Sequence, residues 1–237
     1  AWAGFAGSLT VEGERVGLRD DRAGFDRELA TWRSSRAIGK GSFRFDIVGA
    51  WLQQDPGSPH PRVGVVLSPD VPLDSNQNPR DSKLDSRRVA LNAAYSHPFS
   101  NAVWNTTLSG SRSNAGTLRG FLTDVSTIAP NANGFGQSTD TTDIFFDSHV
   151  IFGHSKNWTL VAGVDWLHGR VTSNGADFDY FVPLDGTPAF NADGAGSDVS
   201  IKLRDTRDFS GAYAHGTWSP LDRLRFDLGL RLNRIVT

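Results

Sequence analysis

Alternation of apolar and polar side chains is common along this chain, and helical spacing is hard to find. Leu224, Phe226, Leu228, Leu230 and Leu232 fall on one face, with Arg225, Asp227, Gly229, Arg231 and Asn233 on the other. A β-strand points successive side chains to opposite faces, so this segment meets an apolar medium on one side and a polar one on the other. The same split sets Trp158, Leu160, Ala162, Val164 and Trp166 against Thr159, Val161, Gly163 and Asp165. Phe43, Phe45, Ile47, Gly49 and Trp51 oppose Arg44, Asp46, Val48 and Ala50. Ile144, Phe146, Ser148, Val150 and Phe152 oppose Phe145, Asp147, His149 and Ile151, and Val89, Leu91, Ala93 and Tyr95 oppose Ala90, Asn92, Ala94 and Ser96. The pattern predicts strands at 43–53, 87–96, 102–111, 143–153, 158–169, 209–218 and 224–234, with two more at 3–11 and 25–33.

A larger motif recurs: an alternating run, a tight polar turn flanked by aromatics, and a second alternating run. Its turns are Trp218–Arg223, Ser96–Asn101 and Gly153–Asn157, and Ser34–Gly41, preceded by Trp32, supplies a fourth. Turn centres near 37, 99, 155 and 221 give a hairpin-plus-loop period of about 60 residues without repeated identity. The hairpins are joined by connections of about 30 to 40 residues rich in Asp, Asn, Ser, Thr, Gly and Pro, which would be strange in a compact soluble domain. Short turns at one end and long polar loops at the other are the asymmetry of an outer-membrane barrel. The predicted fold is therefore all-β: an antiparallel transmembrane β-barrel of outer-membrane type. It is expected to be a partial barrel of 8–9 strands, paired as a meander, with short periplasmic turns and long extracellular loops.

Aromatic placement agrees. Trp32, Tyr95, Trp104, Phe152, Trp158 and Trp218 sit near short turns, while Trp51 and Trp166 lie further up their strands. Trp158 to Trp166 climbs roughly 20 Å in a tilted strand, close to the roughly 25 Å apolar band between aromatic girdles. Ordinary core aromatics of a soluble sandwich are the competing reading.

Composition adds exclusions. The 237 residues carry a net charge of −2 with both signs interspersed, so no nucleic-acid partner is expected. Absence of cysteine removes disulfides and thiolate chemistry, and no apolar run reaches transmembrane-helix length. A hydrophobic fraction of 38% does not separate a barrel from a soluble β protein, because only alternate strand residues face lipid. With no methionine and no signal peptide at Ala1, the chain is expected to be a processed or excised piece.

The run Gly211–Arg234 resembles a barrel hairpin of TonB-dependent outer-membrane receptors, with its Tyr-bearing strand, short turn and strand carrying Gly229-Leu230-Arg231. Asn157–Trp166 is similar in style. The resemblance implies a segment of a nutrient importer of about 22 strands, with a plug domain, the TonB energy-coupling protein, outer-membrane lipid and a small-molecule cargo as partners. An iron–siderophore complex is the commonest such cargo. Residues 1–237 show neither plug nor coupling box, so they are expected to form one barrel segment that does not function alone. A passive porin-like channel and a soluble β-sandwich or carbohydrate-binding module are the alternatives.

No catalytic constellation is present, and neither enzyme activity, cofactor nor metal is expected. Gly134–Thr139 lacks the lysine and strand–helix setting of a phosphate loop. Asn191–Asp198 hints at a calcium turn but reads better as a glycine turn, and the sequons at Asn105 and Asn157 fall in strands. His149 is read as a polar wall residue, and Tyr213 and His215 as lumenal, though small neighbours leave those two open. Arg44, Asp46, Asp165, Arg225, Asp227 and Arg231 are predicted to line the lumen, either pairing with one another or a plug, or touching substrate. The segment 171–208 reads as an extracellular loop in which Phe178, Tyr180 and Phe181 either stack on a ligand or pack the loop on itself.

Overall fold

The computed structural model describes residues 4–155, 157–192, 197–221 and 223–237. Parts of several sequence-read features lie outside them: Ala1 and Ala3 at the chain start, Lys156 and Asp222 in two turns, and residues 193–196 of the Asn191–Asp198 segment, including Asp193. The strands in chain order are β1 (Ala6–Gly17), β2 (Gly24–Ile38), β3 (Gly41–Asp55), β4 (Arg62–Val63), β5 (Val66–Leu67) and β6 (Lys83–Pro98). They continue with β7 (Ala102–Leu122), β8 (Ala132–Ser155), β9 (Trp158–Tyr180), β10 (Ser197–Leu221) and β11 (Leu224–Val236). Nine form one sheet in the order β1-β2-β3-β6-β7-β8-β9-β10-β11, every pairing antiparallel, and β4 and β5 make a separate ribbon. The expected meander is present, and no α-helix occurs among the described residues.

The strands are longer than their apolar patterns. β8, β9 and β10 run 24, 23 and 25 residues, against the roughly 9–11 that cross a bilayer. Above the apolar band both faces are polar, as in Gly169–Asp179, so nothing in the alternation marks the continuing ladder; backbone hydrogen bonds carry it upward. The long connections therefore shrink to 56–82, 123–131 and 181–196, and most of the predicted loop 171–208 is strand. The turn read at Ser34–Gly41 is confined to Gly39 and Lys40, with Gly39 at φ +61°. At the β8 end, Gly153 has φ +73°, and Trp158 packs where its Cβ would stand, so a side chain is excluded twice over.

Register defines the faces, because directly paired residues point the same way. One face carries the leucines of β11, with Leu228 80% exposed, together with Trp218, Leu160, Val164, Trp166, Phe146, Leu108, Leu91, Ile47 and Trp51. Trp158 and Trp218 stand directly opposite each other, Trp218 stacks on Phe226 at 5.6 Å, and Trp32 meets Phe45 edge-on at 5.8 Å. This is the lipid-facing surface with its turn-side aromatic girdle. The core of the molecule is correspondingly small and sits among the extracellular connections, around Ala132, Val182 and Ala189.

Candidate functional site

The inward face of β7–β11 carries a connected polar network in its lower half. Asp147 and Asp165 stand directly opposite each other on β8 and β9. Like charges at such a position repel, so each carboxylate needs its own donor. Asp165 receives two hydrogen bonds from Arg231 NH2, at 2.7 and 3.0 Å, and Arg231 Nε also donates to Asn233. Asp147 accepts from the Tyr213 hydroxyl at 2.8 Å and lies 2.6 Å from His149 Nδ1. Asn105 Nδ2 is 3.3 Å from His149 Nε2, which fits a neutral imidazole protonated at Nδ1.

Two of these bonds skip a strand, and glycine makes both possible. Tyr213 on β10 crosses Gly163 on β9 to reach Asp147 on β8; a Cβ at Gly163 would stand 2.8 Å from the Tyr213 ring and 2.5 Å from His149 Cβ. Arg231 on β11 likewise crosses Gly211 on β10, where a Cβ would meet Asp165 Oδ1 at 2.5 Å and the guanidinium at 2.9 Å. Arg231 also lies over the rings of Phe209 and Tyr213, at 5.4 and 5.6 Å.

The predicted lumen residues share this face and form three ion pairs. Arg231 joins Asp165, Arg44 lies 3.4 Å from Asp46, and Arg225 lies 2.9 Å from Asp227. Asp46 continues through Asn92 to Ser109, at 3.4 and 2.7 Å. His149, Tyr213 and His215 share this face as well. The sequence reading placed Asp147 on the polar face but did not foresee its bond to Tyr213. The available signal was a glycine at matching height on the strand between them.

Higher on the inward face, Phe135, Gln137, Ser173, Asp177, Ile201 and Leu203 line a concavity of about 280 Å³. Ile201 and Leu203 are 64% and 55% exposed, and Phe135 stacks near Phe121 with ring centroids 6.3 Å apart.

Phe178 and Tyr180 occupy a different place. They end β9 on the face of Trp166, the outward one, and Phe178 is buried against Gly134. Residues 75–82 cross at Tyr180: its hydroxyl donates to the Gln77 carbonyl at 2.7 Å, and Asn78 Oδ1 accepts from Gly120 N at 3.0 Å. Burial raises the Tyr180 pKa. Asn76 and Asn78 both donate to the Pro56 carbonyl, at 2.9 and 3.0 Å, so the strap is held by its own amides. Phe181 is half-buried beyond the strand end. The exposure that suggested ligand stacking is thus absent at Phe178. Among the described residues no three His, Cys, Asp or Glu side chains converge as metal ligands.

A family model described as TonB dependent receptor-like, beta-barrel, matches residues 19–237. Among solved structures, the ferric-catecholate import receptor Fiu from E. coli K12 aligns over 99% of this chain and 41% of its own, with TM-score 0.68 and 14% identity. The ferripyoverdine receptor of the outer membrane of Pseudomonas aeruginosa aligns over 98% and 34%, at TM-score 0.66 and 13% identity. The RagAB peptide importer aligns over 98% and 30%, at TM-score 0.62 and 12% identity. The chain thus spans well under half of each structure, and at these identities the likeness shows the fold alone. No curated protein matches the sequence.

Proposed function

We propose, on the premise that this chain belongs to the TonB-dependent receptor-like β-barrel family, that it forms part of the wall of an energy-coupled nutrient importer. Membership places it in the bacterial outer membrane as a transport-receptor barrel rather than an enzyme, and sets aside the soluble-sandwich and porin-like readings. The carrying observation is a sheet that is apolar outward and lined inward by a paired polar network. In this reading the remaining strands, a plug and contact with TonB come from the rest of the receptor.

The lower inward network is suited to face a plug. Each of its two carboxylates has a donor of its own, so a plug slides past or docks on it without meeting a carboxylate that lacks a hydrogen-bond partner. The upper concavity, with Phe135, Ile201 and Leu203 presented inward, is better placed for cargo than the strapped Phe178 and Tyr180. An iron–siderophore complex is the proposed cargo, in line with the ferric-siderophore receptors among the structural neighbours.

The test is energy-dependent uptake of radioactive iron by iron-starved cells carrying the full-length receptor or its Phe135→Ala/Leu203→Ala variant. Loss of uptake with a normally assembled barrel is expected. Unchanged uptake overturns the assignment of this wall, and receptor-dependent uptake of peptides in place of iron overturns the cargo.

A further inference from the structure

Between the lower network and the upper concavity, the inward face holds a third hollow, of about 270 Å³, spread across β3, β6, β7 and β8. Arg88 stands at its upper edge on β6, Asp143 on β8 with Phe145 below it, and Asp46 on β3. Register puts them all on one face: Asp46 pairs with Asn92, Asn92 with Ser109 and Ser109 with Phe145, while Arg88 pairs with Ser113 and Asp143 with Ser111. The neighbouring Arg87 pairs with Trp51, so the hollow reaches the level of the upper tryptophan of β3.

Its charges, unlike those of the lower network, are held apart. Arg88 is exposed and has no ion pair or side-chain hydrogen bond among the described residues. Asp143 accepts only a long bond from the Ser111 hydroxyl, at 3.5 Å to Oδ2. Its Oδ1 lies over Gly169 on β9, where a Cβ would stand 3.1 Å away. The strand between the two charges, β7, presents Ser109, Ser111 and Ser113 inward, and these are too short to join them. Two strand spacings, about 10 Å, separate the backbones of β6 and β8. Asp46 takes no part in the opposition, because Arg44 lies 3.4 Å from it and Asn92 Nδ2 donates to it at 3.4 Å.

We propose that this hollow binds a free α-amino acid with an apolar side chain through its ammonium and carboxylate together. The Arg88 guanidinium takes the carboxylate with its two-pronged donor geometry, and Asp143 with the Ser111 hydroxyl takes the ammonium. One carbon bearing both groups, with a hydrogen bond of about 2.8–2.9 Å at each end, spans a gap of the order that separates charged heads on next-nearest strands. An anion alone would leave Asp143 facing it, and a cation alone would face Arg88; only a group of both signs complements the two. Phe145, 37% exposed, offers the apolar surface on which the amino acid's own side chain lies. The volume falls just below the roughly 300 Å³ at which pockets for drug-sized molecules begin, so it suits one amino acid better than a large cargo. The assignment needs this face to line the aqueous lumen, as proposed above, and is independent of the iron cargo.

The experiment titrates the full-length receptor in neutral detergent with L-leucine, with leucinamide, which lacks the carboxylate, and with 4-methylpentanoate, which lacks the ammonium, following the heat of binding. Leucine is expected to bind about tenfold or more tightly than either analogue, since each analogue leaves one charge of the hollow unpaired. Arg88→Gln should abolish the preference for leucine over leucinamide, and Asp143→Asn the preference over 4-methylpentanoate, each variant keeping the other preference. A merely structural role for either residue would not produce that crossed pattern. In whole cells carrying a receptor with no other accessible thiol, Ser111→Cys should react with a membrane-impermeant maleimide, and leucine should slow the reaction. Leucine binding no tighter than its analogues, loss of both preferences in either variant, or a Ser111→Cys thiol that is unreactive or unprotected by leucine overturns the amino-acid pocket. If Phe135→Cys, higher on the same face, is also unreactive in an assembled barrel, the wall reading falls as well.

Discussion

Leu228 and Asn233 share β11 but meet different solvents. Leu228 is exposed on the lipid face, midway along the apolar run from Leu224 to Leu232. Leu228→Arg in the intact barrel should destabilise by about 2–4 kcal/mol, while Asn233→Arg, beside Arg231 in the aqueous lumen, should cost less than half as much. Denaturant titration in lipid vesicles measures both, and equal costs would mean that the two faces see one solvent. Tyr180 offers a pH test outside the membrane, since it lies far above the upper tryptophan of its strand. Burial raises its pKa in the folded state, whereas an unfolded tyrosine ionises near 10. Its contribution is therefore fully present below about pH 10 and is lost as pH rises from there toward the folded value. Amide exchange in residues 75–82 should accelerate above about pH 10, and Tyr180→Phe should flatten that rise while loosening the strap at neutral pH through loss of the bond to Gln77.

At the scale of elements, two glycines let β9 and β10 be bridged rather than merely paired. Gly211→Val should displace Arg231 from Asp165 and destabilise the barrel by about 1–3 kcal/mol. In an Arg231→Ala background the same substitution should cost clearly less, because the contact it breaks is already gone; an equal cost by urea titration would show that the strain is local to β10. Tyr213→Phe should cost about 1–2 kcal/mol by leaving Asp147 one donor short opposite Asp165, and Asp147→Asn should recover part of that. Alternation alone made the band legible: each predicted strand overlaps an observed one, with residue 3 of the first outside the described residues, and Arg44, Asp46, Asp165, Arg225, Asp227 and Arg231 share one face, opposite the apolar one. What it could not reveal lies where the lipid stops. From Gly169 to Asp179 neither face is apolar, so β9 reads as loop although its ladder to β8 and β10 persists. Phe178 and Tyr180 look exposed by composition, yet Phe178 packs on Gly134 across the sheet and Tyr180 is tied to the strap of residues 75–82, distant in sequence. Cross-strand bonds such as Tyr213 to Asp147 depend on register, which a single strand's pattern does not carry.

The whole sheet has two ends, and they decide how it behaves outside a complete barrel. β1 pairs only with β2 and β11 only with β10, so the outer backbone groups of both edges are left without strand partners among the described residues. Hydrocarbon offers no partner to those groups, at a cost of several kcal/mol each, and an open sheet therefore has no stable place in a bilayer. In water the same sheet exposes Leu228, Leu230, Leu232, Leu9 and Val11 near its two edges, the arrangement that promotes edge-to-edge association. The 237-residue chain by itself should accordingly fail to enter lipid vesicles as a monomer and instead form β-rich aggregates. Cold gel mobility, protease protection and sedimentation after refolding with vesicles read this directly. A protected monomer whose mobility shifts on boiling would mean that β1 and β11 find each other and close a nine-stranded barrel. That closure would press the inward networks of β3 and β9 together in a lumen too narrow for a plug, and the importer reading would fall with it.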